Sequence, residues 1–301
     1  MNVAFIVNMR AGNFKGRRIW QQLKEQLTIP YTMHETTYQG HACDIAKSLA
    51  ALQVEQLIVV IGGDGTIHEV VNGVQNSPHV ILGYMKGGSG NDFARAFTYF
   101  SDAKAIEAFV MQPKIIMVDC GKINNSTISK HFINNFGLGF DGFVSELVNE
   151  SKVKKALNKI GLGKLSYAYF VAQALIQFRP FTLTVQNDSN EQQFENVWFA
   201  TVSNQPYYGG GMNLSPTSKV DDGVLEVTVV NNLPRLKFLL LFLTVFAGKH
   251  TKFKAVTQFK IKEATFTADK LLPIHTDGET AILLEPLIRC EVVPDSVIIV
   301  K

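Results

Sequence analysis

The sequence is short of several things, and each shortage closes off a class of function. Its three cysteines, Cys43, Cys120 and Cys290, lie far apart with no CxxC pair. That argues against a disulfide framework or a Cys/His zinc site and points to a reducing compartment. The seven histidines show no ligand spacing, and His68 reads as a surface or structural residue. Charge is modest: 18% of residues are charged and the net charge is +3, too little to argue for nucleic acid as a partner. The longest apolar run, "FLLLFLTVFAG" from Phe238 to Gly248, falls far short of the ~20 residues that cross a bilayer. "MNVAFIVNMRAG" has no basic segment ahead of its apolar run and no small-residue cleavage site, so it reads as a first strand rather than a signal peptide. A cytoplasmic protein is expected. A Gly/Ser linker, internal repeats and the G-x-x-x-x-G-K-[ST] phosphate loop are all missing.

What is present is an alternation. "VAFIVN", "YTMHETT", "QLIVVIGG" and "HVILGYM" read as strands, the third continuously apolar as buried parallel strands are. Between them "GRRIWQQLKEQL", "HACDIAKSLAAL" and "GTIHEVVNGV" carry helical spacing, and "NDFARAF" opens another helix. This predicts a doubly wound α/β domain, whose ligands bind beyond the C-terminal ends of the strands. From about Lys122 the pattern becomes strand-rich. "HFINNFGLGF", "FTLTVQN", "NVWFATVSN", "GVLEVTVVN", "FKIKEATFTA" and "AILLE" are interrupted by helical stretches in 142–177 and 233–247. A second, mostly antiparallel β domain with inserted helices is expected, the boundary falling near 122–126.

Two glycine-rich turns fall at strand ends. "GGDGT", Gly62 to Thr66, offers successive backbone N–H groups at a strand-to-helix junction, where a helix N-terminus favours phosphate. An acid tolerated there, Asp64, implies a nearby cation. Alone, the motif is equally a tight turn with Asp64 or Thr66 as helix cap. The second turn, "GGSGNDFAR" from Gly87 to Arg95, repeats the arrangement, with Ser89, Asn91 and Asp92 able to cap or to bind nucleotide. "GLGFDG", Gly137 to Gly142, spells G-x-G-x-x-G but lacks a βαβ unit with a ribose-binding acid, so a dinucleotide site is rejected. "DGE", Asp277 to Glu279, reads by itself as a hairpin turn, and "KVDDGVLEV" as a turn before a strand or a weak cation loop.

Taken in order, "GGDGTIHEVVNG", "GGSGNDFAR", "VDCGKIN", "YYGGG", "KVDDGVLEV" and "HTDGE" resemble the diacylglycerol kinase catalytic-domain family, which takes in soluble bacterial lipid kinases and sphingosine and ceramide kinases. The resemblance runs over nearly the whole chain. It implies a nucleotide-binding α/β domain over 1–124 and a β-sandwich over 125–290 that receives the lipid, with 291–301 left open to a return to the first domain. It implies a kinase that uses ATP and Mg2+ on a lipid hydroxyl, diacylglycerol giving phosphatidic acid. A sphingoid-base kinase or a small-molecule kinase like NAD kinase, which shares "GGDGT", stands as the alternative. The nucleotide residues implied are Asn8, Thr36, Gly62, Gly63, Asp64, Gly65, Thr66, Gly88, Ser89, Asn91 and Asp92, with Asp119 as an interdomain acid. Lys219, Asp222 and Val224 are implied to hold a structural magnesium. Glu279 is implied as general base, with Asp277 beside it and Asp64 serving catalysis. Met9 stands where the family often has proline, and the phosphate-facing cation is open among Lys15, Arg17 and Arg18. The implied partner is lipid at the inner membrane surface. Two basic segments, 235–254 around the apolar run and "SKVKKALNKIGLGK", suit an anionic bilayer as well as solvated helix ends. A homodimer is left open.

Overall fold

The computed structural model describes residues 1–150, 163–187 and 190–301. The second basic segment, from Ser151 onward, lies almost wholly outside the described residues.

The first domain is a parallel sheet wound on both faces. β1 (Asn2–Val7) pairs in parallel with β2 (Thr32–Glu35) and β3 (Gln56–Gly62), and β3 with β4 (Val80–Lys86). Because successive side chains point to opposite faces, the apolar runs feed two cores at once. Ala4, Ile6, Ile58, Val60 and Leu82 pack against α2 (His41–Ala50) and α3 (Asp64–Gly73). Phe5, Val7, Val59, Ile61 and Met85 pack against α1 (Ala11–Lys24) and the 103–111 helix through Trp20, Leu23, Ile106 and Phe109. The helix expected from "NDFARAF" is a single turn, α4 (Phe93–Ala96), and the helix over 103–111 is α5. α1 begins in a left-handed run, Gly12, Asn13 and Phe14, all with φ between +55° and +65°.

Two long strands carry the sheet into the second domain. β5 (Ile115–Asn124) pairs antiparallel with the last strand of the chain, Leu287–Val300, from end to end but for a break at Asp119. Ile298 and Ile299 of that strand pair in parallel with Ile81 and Leu82, so it also extends the first sheet. The second domain is antiparallel. β6 (Ser129–Phe132) pairs with β5, and β7 (Asn135–Gly139) pairs with β9 (Asn190–Ser203). β8 (Phe181–Asn187) also pairs with β9. "HFINNFGLGF" is therefore two strands rather than one, and the physical reason lies in Asp277, described below. α6 (Phe140–Glu150) and α7 (Gly163–Gln177) lie between β7 and β8. After a short β10 (Tyr207–Tyr208) and β11 (Met212–Asn213) come β12 (Leu225–Asn231) and α8 (Arg235–Val245). β13 (Val256–Ile261), β14 (Glu263–Ala268), β15 (Pro273–Thr276), β16 (Glu279–Ile282) and β17 (Leu287–Val300) complete the domain.

An aromatic cluster sets the helices on this sheet. Trp198 of β9 stacks on Phe238 of α8 at 4.3 Å between ring centroids, with Phe140 of α6 edge-on to both. The Trp198 indole donates to the Leu233 carbonyl at 2.8 Å, so its polar edge is satisfied where its ring is buried.

Candidate active site

Both glycine turns lie at the C-terminal edge of the parallel sheet, back to back. The Gly87 amide donates to the Gly62 carbonyl at 2.7 Å. A Cβ at Gly88 would sit 2.4 Å from the Gly63 Cα, so only glycine allows the turns to touch. Asn91, at φ +54°, has its amide turned inward: Oδ1 accepts from the Gly88 N–H and Nδ2 donates to the Gly88 carbonyl. The buried Tyr84 hydroxyl lies within hydrogen-bond distance of the Gly62 carbonyl and Asn91 Oδ1. Asn91 and Gly62 thus build the turns and do not face the space beyond them.

In front of the turns lies a groove of about 500 Å³, lined by Asn8, Thr36, Gly63, Gly65, Thr66, Gly88 and Ser89 among others. Asn8 ties β1 to this wall, donating from Nδ2 to Thr66 Oγ1 at 3.1 Å. Glu69 fixes the opposite rim, accepting from the Gly40 and Ala42 amides. The cation lining the groove is Arg10, which the reading of Lys15, Arg17 and Arg18 passed over; none of those three lines it.

A second cleft of about 720 Å³ opens between the domains. Asp64, Gly65, Ser89 and Asp92 form one wall, with Asn134, Asn135, Tyr208, Asp277 and Glu279 opposite. Gly65 and Ser89 line both spaces, so the groove runs into the cleft. Asp64 accepts from the Phe93 N–H at 3.1 Å. Burial, and then the neighbouring charges of Asp92 and Asp277, push its carboxyl up to about 6. Asp92 accepts from the Gly210 amide at 2.7 Å and so joins the second turn to the "YYGGG" loop.

The "DGE" segment is the β15–β16 hairpin turn, with Asp277 at φ +49° and Gly278 at φ +90°. That geometry aims the Asp277 carboxylate inward. Oδ1 accepts from the Asn134 and Asn135 amides and Oδ2 from the Ile133 amide, each at 2.9 Å. Four donors are completed by His68 Nδ1 at 2.8 Å. These bonds take the amides between β6 and β7, which is why that run splits. They give Asp277, read as a catalytic acid beside the base, a structural part: a buried carboxylate with both oxygens committed holds the turn. Glu279, one residue past the turn, stays partly exposed in the cleft. Its contacts among the described residues fall on Oε2, from Lys130 Nζ at 3.0 Å and His68 Nε2 at 3.7 Å. His68 therefore bridges the two acids from the first domain, buried as a structural histidine is yet set in the site. Its place one helical turn after Asp64 is the only signal the sequence carried for it. Lys130 had none.

Asp119, implied as an interdomain acid, lines neither space. It is buried on β5 and accepts from the Gly223 and Asp295 amides, which pins the 219–224 loop. Of the implied magnesium residues, Asp222 meets the Lys260 ammonium through one oxygen, Oδ2, at 2.9 Å; a site of one carboxylate, backbone carbonyls and waters needs no cluster of acids.

Beyond the cleft, Tyr208 also walls an apolar cavity closed to about 30 Å³, lined by Val144, Val171, Met212, Phe238 and Phe242 among others, with Asp141 at its edge. Asp141 accepts from His275 at 2.7 Å, and a Cβ on Gly137 would lie 2.2 Å from that imidazole. The decoy glycine motif thus makes room for the His275–Asp141 hydrogen bond, not for a dinucleotide.

Residues 2–123 match the family model of the diacylglycerol kinase catalytic domain, and 135–301 match that of a C-terminal domain like the NAD kinase β-sandwich. The chain is 34% identical over 288 residues to the Bacillus subtilis protein named "Putative lipid kinase YtlR", covering 91% of this chain and 92% of that one. It is 30% identical over 264 residues to the diacylglycerol kinase of the same organism, covering 85% and 81%. A solved structure described as a putative diacylglycerol kinase from Bacillus anthracis superposes over 100% of this chain and 95% of its own at a TM-score of 0.77 and 23% identity. A more distant fold match, at 0.54 and 11%, is an NAD kinase from Archaeoglobus fulgidus in complex with ATP, covering 100% of this chain and 94% of that one. Glycine turns and interdomain cleft together, the chain belongs to the diacylglycerol kinase catalytic-domain family, ATP-dependent kinases that phosphorylate lipids.

Proposed function

We propose that the chain phosphorylates a lipid hydroxyl with ATP and magnesium, diacylglycerol being the acceptor and phosphatidic acid the product. The observation that carries this reading is the position of Glu279, a partly exposed carboxylate on the wall of the cleft into which the groove in front of the glycine turns opens. The Gly63–Thr66 turn and the α3 N-terminus receive the phosphates, and Arg10 offsets their charge. The lipid oxygen attacks the γ-phosphorus, the bond to the β,γ-bridging oxygen breaks, and the hydroxyl proton passes to Glu279 Oε1. Lys130 holds Oε2 at 3.0 Å, so the free oxygen is aimed rather than left to rotate. Asp64 is the residue to hold a nucleotide-borne Mg2+, because a carboxyl raised by burial and by neighbouring acids is relieved by a cation. That ion would neutralise charge on the phosphates as they transfer. Most of the rate then comes from positioning and charge neutralisation.

Two features favour an apolar acceptor. The Bacillus subtilis relatives at 34% and 30% identity carry lipid kinase names. Tyr208 separates the cleft from a cavity walled by aliphatic and aromatic side chains, too small as it stands for an acyl chain and able to take one only if Tyr208 and α8 give way. The ATP-bound NAD kinase keeps a polar acceptor as a second reading. Incubation with ATP, Mg2+ and a total lipid extract, and in parallel with NAD, decides between them by mass spectrometry. New phosphatidic acid that vanishes with Glu279→Gln is the expected result. Phosphorylated NAD, or no product at all, overturns it.

A further inference from the structure

α8 is apolar on both sides. Its inner stripe, Phe238, Leu241 and Val245, is buried on the sheet and the Trp198 cluster. Its outer stripe follows the same helical spacing one step away: Leu236 is 70% exposed, Leu240 58% and Leu243 64%, and Phe246 beyond the helix end is 56% exposed. An ordinary surface helix would carry charge there. The charges stand at the ends instead. Arg235 and Lys237 lie at the start, and Lys249, Lys252 and Lys254 follow the helix, all exposed. No aspartate or glutamate occurs between Glu226 and Glu263. A molecule whose net charge is only +3 thus frames one exposed row of leucines with five cations and no nearby acid in sequence. No described helix is long and apolar enough to cross a membrane, so this row cannot belong to a span.

We propose that α8 is the docking face for a bilayer of anionic lipid. It lies in the interfacial plane, with Leu236, Leu240 and Leu243 among the acyl chains and the flanking lysines on the phosphate headgroups. An apolar stripe framed by cations fits that surface in both respects, because leucine gains from leaving water and each lysine gains from the negative surface potential. The placement has a consequence for the reaction. Phe238 and Phe242, on the inward side of the same helix, line the closed apolar cavity. A helix seated in the bilayer would therefore stand between the membrane and the space meant for the lipid tail. This inference rests on the lipid-kinase reading and adds to it where the substrate enters.

The test is sedimentation of the full chain with vesicles of phosphatidylcholine alone or with phosphatidylglycerol at one part in three, paired with turnover of a water-soluble short-chain diacylglycerol. Binding to the anionic vesicles should exceed binding to the neutral ones at least tenfold and fall as salt rises. Leu240→Asp with Leu243→Asp, and separately Lys249→Glu with Lys252→Glu, should each cut that binding at least tenfold. Short-chain turnover should stay within twofold of the unaltered chain, which also shows that the variants fold. Anionic vesicles bound no better than neutral ones, or both variants binding normally, would overturn the docking face. So would a dimer of the unaltered chain that Leu240→Asp dissociates while vesicle binding persists. If short-chain lipid were not phosphorylated by the unaltered chain, the kinase reading would fail instead, whatever the vesicles did.

Discussion

The two walls of the cleft are made of different material. The first-domain wall is built on backbone, amides at two glycine turns so close that side chains are shut out between them, with the Asp64 and Asp92 carboxylates beside them. The second-domain wall is side chain: Asp277, Glu279 and Lys130, each held by specific partners. A backbone wall recognises what every nucleotide triphosphate shares. A side-chain wall is free to choose an acceptor and move a proton. The difference teaches where substitutions should change turnover and where they should change binding or stability.

The sharpest contrast comes from Glu279→Gln. A positioned general base contributes on the order of 10²–10⁴ in rate. kcat should therefore fall about 10³-fold while the KM for ATP stays within a few-fold, measured in steady state. A fall in ATP affinity of the same size would mean the two walls are not separate in function. Asp277→Ala should show the opposite balance. It strips the acceptor from three buried amides and from His68. Leaving such donors unpaired costs on the order of 3–5 kcal/mol in total, so the chief readout is the denaturant midpoint, with turnover lost alongside.

That pair also explains how far the sequence could be read. The α/β domain was legible because its strands are buried on both faces and spell continuous apolar runs, from "QLIVVIGG" onward. The glycine turns were legible because close approach of backbone demands glycine, as at Gly88. The side-chain wall was not. Asp277 looks like a hairpin residue, and it is one; only folding brings the amides of 133–135 onto it from far along the chain. Lys130 and His68 reach Glu279 from two other elements, through contacts that no local spacing encodes. Asp119 is the converse case: its motif stands in the sequence, but its oxygens are taken by the Gly223 and Asp295 amides.

Gly88→Ala tests the backbone wall. Its new methyl would sit 2.4 Å from the Gly63 Cα, and one turn must move. Strain of that kind costs roughly 1–3 kcal/mol. Because the displaced amides are those proposed to meet phosphate, the KM for ATP should rise at least tenfold while activity on saturating nucleotide is partly kept. An alanine variant with unchanged melting temperature and unchanged KM would show that the turns do not need to touch.

The smallest expected effect lies where the walls face each other, at Asp64, and its sign is the informative part. The folded chain holds this proton up to about pH 6, against an ordinary aspartate value of 3.8, chiefly because the carboxyl is buried and then because Asp92 and Asp277 repel its charge. Folding therefore favours the protonated form. The stability this group contributes is full below about pH 4 and is lost as pH rises through about 6. Asp64→Asn removes the charge for good. Without nucleotide the variant should be more stable than the unaltered chain by about 1–2 kcal/mol at pH 7.5, somewhat less than the full shift implies because the group keeps some contact with water. The gain should shrink to nothing by pH 4, as thermal melts across that range would show. Turnover should nevertheless collapse, since the charge that burdens the empty protein is the one proposed to meet the cation. A variant that gained no stability at neutral pH would mean that Asp64 is not strained by its neighbours.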